Sequence, residues 1–268
     1  MGWPVAHSRS PLIHNYWIHE HGLKGAYGLF PVQPNQLETA IRGLGALGMA
    51  GCNITIPHKV NAMAYVDWVH PLAQRMGAIN TVVVQSDGAL HGFNNDGFGF
   101  IQSLLEAQPN WRANAGPIVV LGAGGAARAI VVSLLDAGAT HIRVINRTHS
   151  TAQALAQEFG AYVTSPSWAE RHNALSDASL LINTTNQGMQ GQPPLDIHLE
   201  DLPKHALVSD AIYIPLETPL LKEARLRGNP TVNGLGMLLH QARPAFQAWF
   251  GVMPQVTKHL YAEVLKTI

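Results

Sequence analysis

Apolar and polar positions follow different patterns in different parts of the chain, and the first third mixes helices with short strands. Ser10 followed by Pro11 is typical of an N-cap and a first helical position, and apolar residues continue at helical spacing as far as Trp17. A short apolar strand is predicted over 27–32, followed by a helix from Asn35.

Further along this region the pattern indicates short strands. Segments 80–85 and 90–93 are predicted to form a hairpin, because they are joined through Asp87 and Gly88, a pair typical of tight turns. Segment 52–56 is predicted to be a strand that stops at Pro57, and Pro57 is expected to open a helical turn.

The middle third alternates strands with helices. Segment 117–121 is a continuous apolar strand that leads through a glycine-rich turn into a helix, and Thr148 is positioned to cap the helix after the next strand. Such alternation predicts an α/β fold with an open, doubly wound sheet. From Asn233 onward the pattern is helical again. The other predicted strands of the middle third are 142–145, 180–183, 207–209 and 231–232.

Composition and charge exclude several classes of protein. The 268 residues are 47% apolar, with 17 basic and 17 acidic side chains, so the chain is globular and offers no basic surface to nucleic acid or to an anionic membrane. No apolar run reaches the roughly 20 residues that span a bilayer, and the start lacks the pattern of a signal peptide. The single cysteine, Cys52, excludes an internal disulfide and a cysteine zinc site, so we expect no metal and a cytoplasmic location.

A dinucleotide site is predicted where the first strand of the middle third ends. Gly122, Gly124 and Ala127 form a G-x-G-x-x-A pattern between a buried strand and a helix. Glycine lets the backbone approach a pyrophosphate, whose charge is met by free N–H groups at the helix start. The alternative is a compact strand-to-helix turn without a ligand.

The end of the next strand indicates which dinucleotide is bound. A carboxylate there would accept the ribose 2′-hydroxyl of NAD, but the chain has Asn146, Arg147 and Thr148. Because a guanidinium offers a fork of donors to phosphate oxygens, NADP is predicted over NAD. The alternative is that Arg147 is an exposed arginine without a ligand.

Lys59 and Asp96 are candidates for proton transfer. Lys59 follows Pro57 closely, so it is expected near the positive end of a helical turn, where a cation needs compensation. Asp96 follows a strand and precedes a helix, and is a suitable partner. Together they can relay the proton of a hydroxyl whose carbon loses hydride. A surface lysine and an N-cap aspartate are the alternatives.

Many motifs in order resemble those of the shikimate dehydrogenase family, which includes quinate/shikimate dehydrogenases. The resemblance covers nearly the whole chain. Its motifs are GWPVAHSRSP at 2–11 with His14 and Asn15, NITIPHK at 53–59, GAINT at 77–81, NNDG at 94–97, the glycine pattern at 122–127, NRT at 146–148, NTT at 183–185, DAIYIP at 210–215, TPLL at 218–221, GLGML at 234–238 and Gln241.

The resemblance implies a two-domain enzyme of aromatic amino acid biosynthesis that reduces 3-dehydroshikimate to shikimate with NADPH. It implies an α/β substrate-binding domain over 1–95 and 237–268, a Rossmann-type domain over 96–236, and a central cleft. Lys59 matches the family's proton donor and acceptor, and Asp96 its partner.

The resemblance also assigns binding residues. Ser8 and Ser10 match residues that hold the substrate carboxylate, although Ser10 as a helix cap is the alternative. For Met237 taken alone, core packing is the favoured explanation. The remaining substrate positions are Thr55, Asn80, Tyr213 and Gln241, and the cofactor positions are Gly122, Gly124, Gly125, Ala126, Asn146, Arg147, Thr148, Thr184, Ile212, Gly234 and Met237.

Several departures from the family pattern keep alternatives open. Asn95 stands where the family usually has Thr, and Asn233 stands where it often has Asp. Thr151 replaces a second basic residue, so weaker NADP selectivity is expected. The chain begins at the glycine of the opening motif, so the first strand is expected to be short or missing. The alternative functions are a quinate/shikimate paralogue with relaxed cofactor use and a nucleotide-sensing module without catalysis. The expected assembly is a monomer or a homodimer.

Overall fold

The computed structural model describes all 268 residues, and the chain forms two compact units. Unit 1 comprises Met1–Asp96 and Leu239–Ile268, and unit 2 comprises Gly97–Leu238. No helix has the length and apolar character needed to cross a membrane.

Nine α-helices and ten strands make up the two units. The helices are α1 Ser10–Glu20, α2 Leu37–Arg42, α3 Pro71–Met76, α4 Asp96–Ala107, α5 Gly125–Asp136, α6 His149–Phe159, α7 Pro219–Arg227, α8 Gly234–Phe250 and α9 Lys258–Leu265. The strands are β1 Gly51–Asn53, β2 Trp68–Val69, β3 Thr81–Val84, β4 Leu90–Phe93, β5 Ile118–Leu121, β6 Ile142–Ile145, β7 Val163–Thr164, β8 Leu180–Asn183, β9 Leu207–Asp210 and β10 Thr231–Val232.

Unit 1 contains a four-stranded sheet in the order β1-β3-β4-β2. The predicted hairpin is confirmed: β3 and β4 are antiparallel, and Thr81 pairs with Phe93. At the turn, Asp87 Oδ1 accepts the Ala89 N–H at 3.0 Å and Gly88 has φ +87°, a backbone conformation that favours glycine. The sheet packs against buried aliphatic residues of α2 and the segment after it, including Ile41.

Unit 2 is built on a six-stranded sheet in the order β10-β9-β8-β5-β6-β7, with every pairing parallel. This confirms the predicted doubly wound α/β fold. Both faces of the sheet are covered, because Ile118 and Val120 pack into one core while Val119 and Leu121 pack into another. Burial on both faces explains why the strand reads as a continuous apolar run. The order reverses between β5 and β8, the position where such sheets bind ligands.

The predicted strand over 27–32 is wrong. Only Pro31 forms a bridge, with Gly2, and the rest is extended chain without a ladder. At Tyr27 a side chain takes the backbone groups: Asn15 donates to the Tyr27 carbonyl and accepts the Tyr27 N–H, both at 2.9 Å. A backbone whose groups are bonded to a side chain has none left for a neighbouring strand.

Two predicted helix starts are also corrected. Ser10 is the first residue of α1 and not its N-cap, which is Arg9; the Ser10 N–H instead donates to Ser8 Oγ at 3.3 Å. Pro57 opens a turn, but the next helix is a 3₁₀ helix at Asn61–Tyr65, so Lys59 lies before a helix and not within its first turn. Thr148 occupies the N-cap position of α6, although its side chain does not cap the helix.

Candidate active site

Lys59 and Asp96 form an ion pair within unit 1. Lys59 Nζ lies 2.6 Å from Asp96 Oδ2, and the two side chains are 29% and 13% exposed. Asn80 Nδ2 donates to the other carboxylate oxygen at 2.9 Å. The carboxylate is therefore held from two sides, while the ammonium keeps access to solvent and to a ligand.

The backbone around the pair explains how distant residues meet. Ile79 donates its N–H to the Lys59 carbonyl at 2.9 Å, which places the lysine beside the entry to β3. After β4 the Asn94 side chain accepts the Asp96 N–H at 2.9 Å and donates to the Ala78 carbonyl at 2.9 Å. Lys59 and Asp96 are thus anchored on the same short stretch of chain before β3.

Asn80 is the most connected of the predicted substrate residues. Its Nδ2 also donates to Gln241 Oε1 at 3.3 Å, and its Oδ1 accepts the Asn95 N–H at 3.0 Å. The structure therefore brings Asn80 and Gln241 together with Asp96. Asn95, the departure from the family pattern, contributes its backbone N–H here, and its side-chain Nδ2 donates to Thr81 Oγ1 at 3.0 Å.

Ser8, Ser10 and Thr55 line a small cavity in unit 1, so three predicted substrate residues share one pocket. Tyr27 and Asn53 line it as well, and neither was predicted as a site residue. Asn53 lies inside a recognised motif, so the sequence held a signal for it. Tyr27 lies outside the family motifs, so no sequence signal pointed to it. Tyr213 is not part of this group, because it belongs to the loop after β9 in unit 2.

The glycine-rich turn between β5 and α5 has the geometry of a phosphate site. Gly122 has φ +106°, and a Cβ there would lie 2.4 Å from Thr184 Oγ1, so no larger residue fits. Gly124 and Gly125 are exposed, and a Cβ on either would meet open space. No side chain caps α5, so its first N–H groups are available to an anion. These residues fit a dinucleotide pyrophosphate, and Ala126 lies beside them in the first turn of α5.

The end of β6 fits an extra phosphate. Asn146 Nδ2 donates to the Thr148 carbonyl at 3.0 Å, which closes the turn, and no carboxylate stands there. Arg147 is exposed, and its guanidinium has no acidic partner. Thr151 lies in the first turn of α6 and is also exposed.

A buried carboxylate, Asp210, ties together the loops that follow β8 and β9. Its oxygens accept hydrogen bonds from Asn183 Nδ2 at 3.0 Å, from the Ile212 N–H at 3.1 Å and from Thr218 Oγ1 at 2.7 Å. Burial raises the pKa of Asp210, since no cation offsets the loss of water. This network fixes the loops that carry Thr184, Ile212 and Tyr213, and Asp210 was not among the predicted site residues.

The start of α8 lies close to the loop after β9. Gly234 donates its N–H to the Ile212 carbonyl at 2.9 Å, and a Cβ on Gly234 would lie 2.1 Å from the Ala211 oxygen. Asn233 Oδ1 accepts the Leu235 N–H at 3.1 Å, so this departure from the family pattern still caps the helix. Met237 packs against the core of unit 2, the contact expected from the core alternative.

Three family descriptions match successive parts of the chain. Residues 1–82 match the shikimate dehydrogenase substrate binding domain, residues 106–190 match shikimate / quinate 5-dehydrogenase, and residues 234–258 match the shikimate 5'-dehydrogenase C-terminal domain.

Individual proteins are similar over nearly their whole length. A shikimate dehydrogenase (NADP(+)) of Rhodospirillum rubrum is 53% identical over 99% of this chain and 95% of its own. The crystal structure of shikimate 5-dehydrogenase from Thermus thermophilus with NADP(H) and shikimate is 35% identical, with a TM-score of 0.88 over 100% of this chain and 97% of that one. Quinate dehydrogenase from Corynebacterium glutamicum with NAD is 30% identical, with a TM-score of 0.91 over 99% and 96%.

Proposed function

Because this chain belongs to the shikimate dehydrogenase family, we propose that it is an NADP-dependent oxidoreductase that reversibly reduces 3-dehydroshikimate to shikimate. The observation that carries the proposal is the ion pair between Lys59 and Asp96, with Asn80 on the same carboxylate. An ammonium, a carboxylate and an amide so arranged suit the reduction of a carbonyl on a polyhydroxylated ring.

The proton is handled by the residues of unit 1. NADPH, when bound, supplies the hydride for the carbonyl carbon. Lys59 Nζ donates a proton to the carbonyl oxygen, which becomes the hydroxyl of shikimate, and takes that proton back in the reverse direction. Asp96 orients the ammonium and stabilises its charge.

The cavity lining supports the binding of a carboxylated polyol. Ser8 and Ser10 hold the carboxylate with their hydroxyls, and the Ser8 hydroxyl already accepts the Ser10 N–H. Thr55, Asn80 and Gln241 supply both donors and acceptors to the ring hydroxyls.

NADP is held by unit 2. The backbone at Gly122, Gly124, Gly125 and Ala126 binds the pyrophosphate, and Arg147 binds the 2′-phosphate with the turn of Asn146 and Thr148 around it. Thr184 and Ile212, on the loops after β8 and β9, complete the proposed cofactor site, and Gly234 and Met237, at the start of α8, are proposed for its nicotinamide side.

A matrix of two substrates and two cofactors tests the proposal. Steady-state oxidation of shikimate and of quinate is measured with NADP and with NAD, and the highest kcat/KM is expected for shikimate with NADP. Folded protein that turns over neither acid would contradict the function.

A second candidate is a quinate/shikimate dehydrogenase with relaxed cofactor use. Thr151 favours it, because the exposed first turn of α6 offers a hydroxyl where a second cation would strengthen phosphate binding. Comparable kcat/KM with NAD, or with quinate, would select this candidate.

Location and assembly complete the proposal. The free, buried Cys52 supports a cytoplasmic enzyme, and the balance of 17 basic and 17 acidic residues supports the absence of a nucleic-acid partner. We propose a monomer or a homodimer, which light scattering on the purified protein distinguishes.

A further inference from the structure

We propose that Tyr27 is a positioning residue for the reaction: its hydroxyl fixes the amide of Asn53 and, through a directed chain of hydrogen bonds, the side chains that hold Asp96. The inference rests on the proposed function, and it assigns Tyr27, which lines the cavity with Ser8 and Ser10, a role in holding the Asp96 carboxylate.

Tyr27 is held rigidly before it makes any contact with the site. Asn15 clamps its backbone with two hydrogen bonds of 2.9 Å. The His14 ring stacks on the phenol ring, with centroids 4.3 Å apart and planes 4° from parallel. His14 is fully buried, and burial lowers its pKa to about 3, so the stacked ring is neutral at working pH. Two neighbouring residues of α1 therefore fix both the backbone and the ring of Tyr27.

The first link runs from Tyr27 to Asn53. The Tyr27 hydroxyl donates to Asn53 Oδ1 at 2.7 Å, and Asn53 Nδ2 donates to the Asn80 carbonyl at 3.0 Å and to Thr81 Oγ1 at 3.1 Å. Both ends of the amide require the same orientation, since a flipped amide would set an oxygen against a carbonyl oxygen. Burial raises the pKa of Tyr27, so its hydroxyl remains a donor.

The second link runs from Thr81 to the carboxylate. Thr81 Oγ1 accepts N–H bonds from Asn53 and, at 3.0 Å, from Asn95 Nδ2, so its own hydrogen is given to Asn80 Oδ1 at 2.9 Å. An Asn80 amide whose oxygen is bound in this way turns its nitrogen toward Asp96 Oδ1. Every donor and acceptor in this series of hydrogen bonds can therefore point in only one direction. The Tyr27 hydroxyl helps to fix that direction at one end, and Asp96 accepts the last hydrogen bond at the other.

Removing the hydroxyl breaks this chain at its start. In Tyr27→Phe the ring still stacks on His14, but Asn53 Oδ1 loses its donor, and the amide has one fewer contact to hold it. A less restrained Asn53 amide holds the Thr81 hydroxyl and the Asn80 amide less firmly. The Asp96 carboxylate, which orients Lys59, is then also held less firmly. We expect kcat/KM for shikimate to fall about tenfold, the effect typical of one lost hydrogen bond.

The test compares Tyr27→Phe with Tyr16→Phe. Tyr16 is a matched control, because its hydroxyl also makes hydrogen bonds in unit 1, to Glu20 and Thr257 at 3.3 Å, but it does not line the cavity. Tyr27→Phe is expected to lower kcat/KM for shikimate and leave the KM for NADP within about twofold, whereas Tyr16→Phe changes neither. Equal kcat/KM for both variants and the wild type would overturn the inference.

A double-mutant cycle separates positioning from loss of stability. If Tyr27 acts through Thr81, adding Tyr27→Phe to Thr81→Val lowers kcat/KM little further than Thr81→Val alone, whereas independent effects of the two substitutions on kcat/KM multiply. Multiplying effects would reject the proposed route. Calorimetric titration of shikimate into the wild type and Tyr27→Phe measures the pocket without turnover, and weaker binding by the variant is expected. Equal affinity together with equal kcat/KM overturns the inference, whereas an inactive wild type contradicts the proposed function alone.

Discussion

Asp96 and Asp210 stand at or just after the end of a strand, one in each unit, yet the units give them different partners. Asp96 has the Lys59 ammonium at 2.6 Å and a neutral amide. Asp210 is 1% exposed and has only neutral donors, from Asn183, Thr218 and a backbone N–H. In unit 2 the cation at the sheet edge, Arg147, stays exposed and apart from any carboxylate.

The difference separates chemistry from binding. In unit 1 opposite charges are joined, so a proton can move on the lysine while the carboxylate compensates its charge. In unit 2 the Asp210 carboxylate is enclosed and bonded to two loops, and the exposed Arg147 is the residue proposed to bind the charge of a ligand. Changing each charged residue in turn tests whether the units divide the work in this way.

The largest effect is expected from breaking the ion pair. Lys59→Ala removes the proposed proton donor, and turnover of shikimate should fall by about 10² to 10⁴, the range for one acid–base group. The affinity for NADP, measured by fluorescence titration, should hardly change, because its proposed site lies in unit 2. Lys24→Ala, which removes an exposed lysine of unit 1, is the control. Turnover equal to the wild type would remove Lys59 from the mechanism.

The second-largest effect is expected from removing Arg147, the cation without an acidic partner. Arg147→Ala removes the proposed partner of the 2′-phosphate, so the KM for NADP should rise roughly 10- to 100-fold, as for a lost charge-assisted hydrogen bond. The KM for NAD, which lacks this phosphate, is the internal control and should stay within about twofold. If both values rise equally, the arginine contributes to packing or to general charge and does not select NADP.

Sequence predicted some of these features and missed others for identifiable reasons. Strand β5 was predictable because burial on both faces leaves a continuous apolar run between turn residues. The segment that begins at Tyr27 is also a short run rich in apolar residues, so it resembles a strand in sequence. In the structure the Asn15 side chain, twelve positions away, takes the backbone hydrogen bonds of Tyr27. The family resemblance matched Lys59 and Asp96 as a pair, and the structure pairs their side chains, although Lys59 lies before a helix and not in the helical turn expected at Pro57.

Asp210 illustrates what local pattern leaves out. It lies inside a recognised motif, but its role depends on Asn183, 27 positions earlier, and on the enclosure of both loops. Burial and long-range partners are properties of the folded chain. A sequence motif can therefore include Asp210 without indicating that its carboxylate joins two loops.

The smallest expected effect is a pH-dependent difference in stability at Asp210. Its pKa is raised in the folded state, above the ordinary value of about 3.9 in the unfolded chain, so the folded state binds the proton more tightly. The wild type therefore loses stability as the pH rises from about 4 through the folded-state pKa. Asparagine keeps the acceptor for Asn183 and Ile212 and does not titrate, so Asp210→Asn should avoid this loss.

Urea denaturation of both proteins at several pH values measures the difference. At low pH the variant is expected to be less stable by about 0.5 to 1.5 kcal/mol, because the bond from Thr218 must rearrange. That deficit should shrink as the pH rises. Asp201→Asn, which removes an exposed carboxylate of the same unit, is the control. A deficit that grows with pH would mean that the folded protein stabilises the ionised carboxylate of Asp210, as a neighbouring cation would do. Asp210 would then no longer differ from Asp96 in its electrostatic environment.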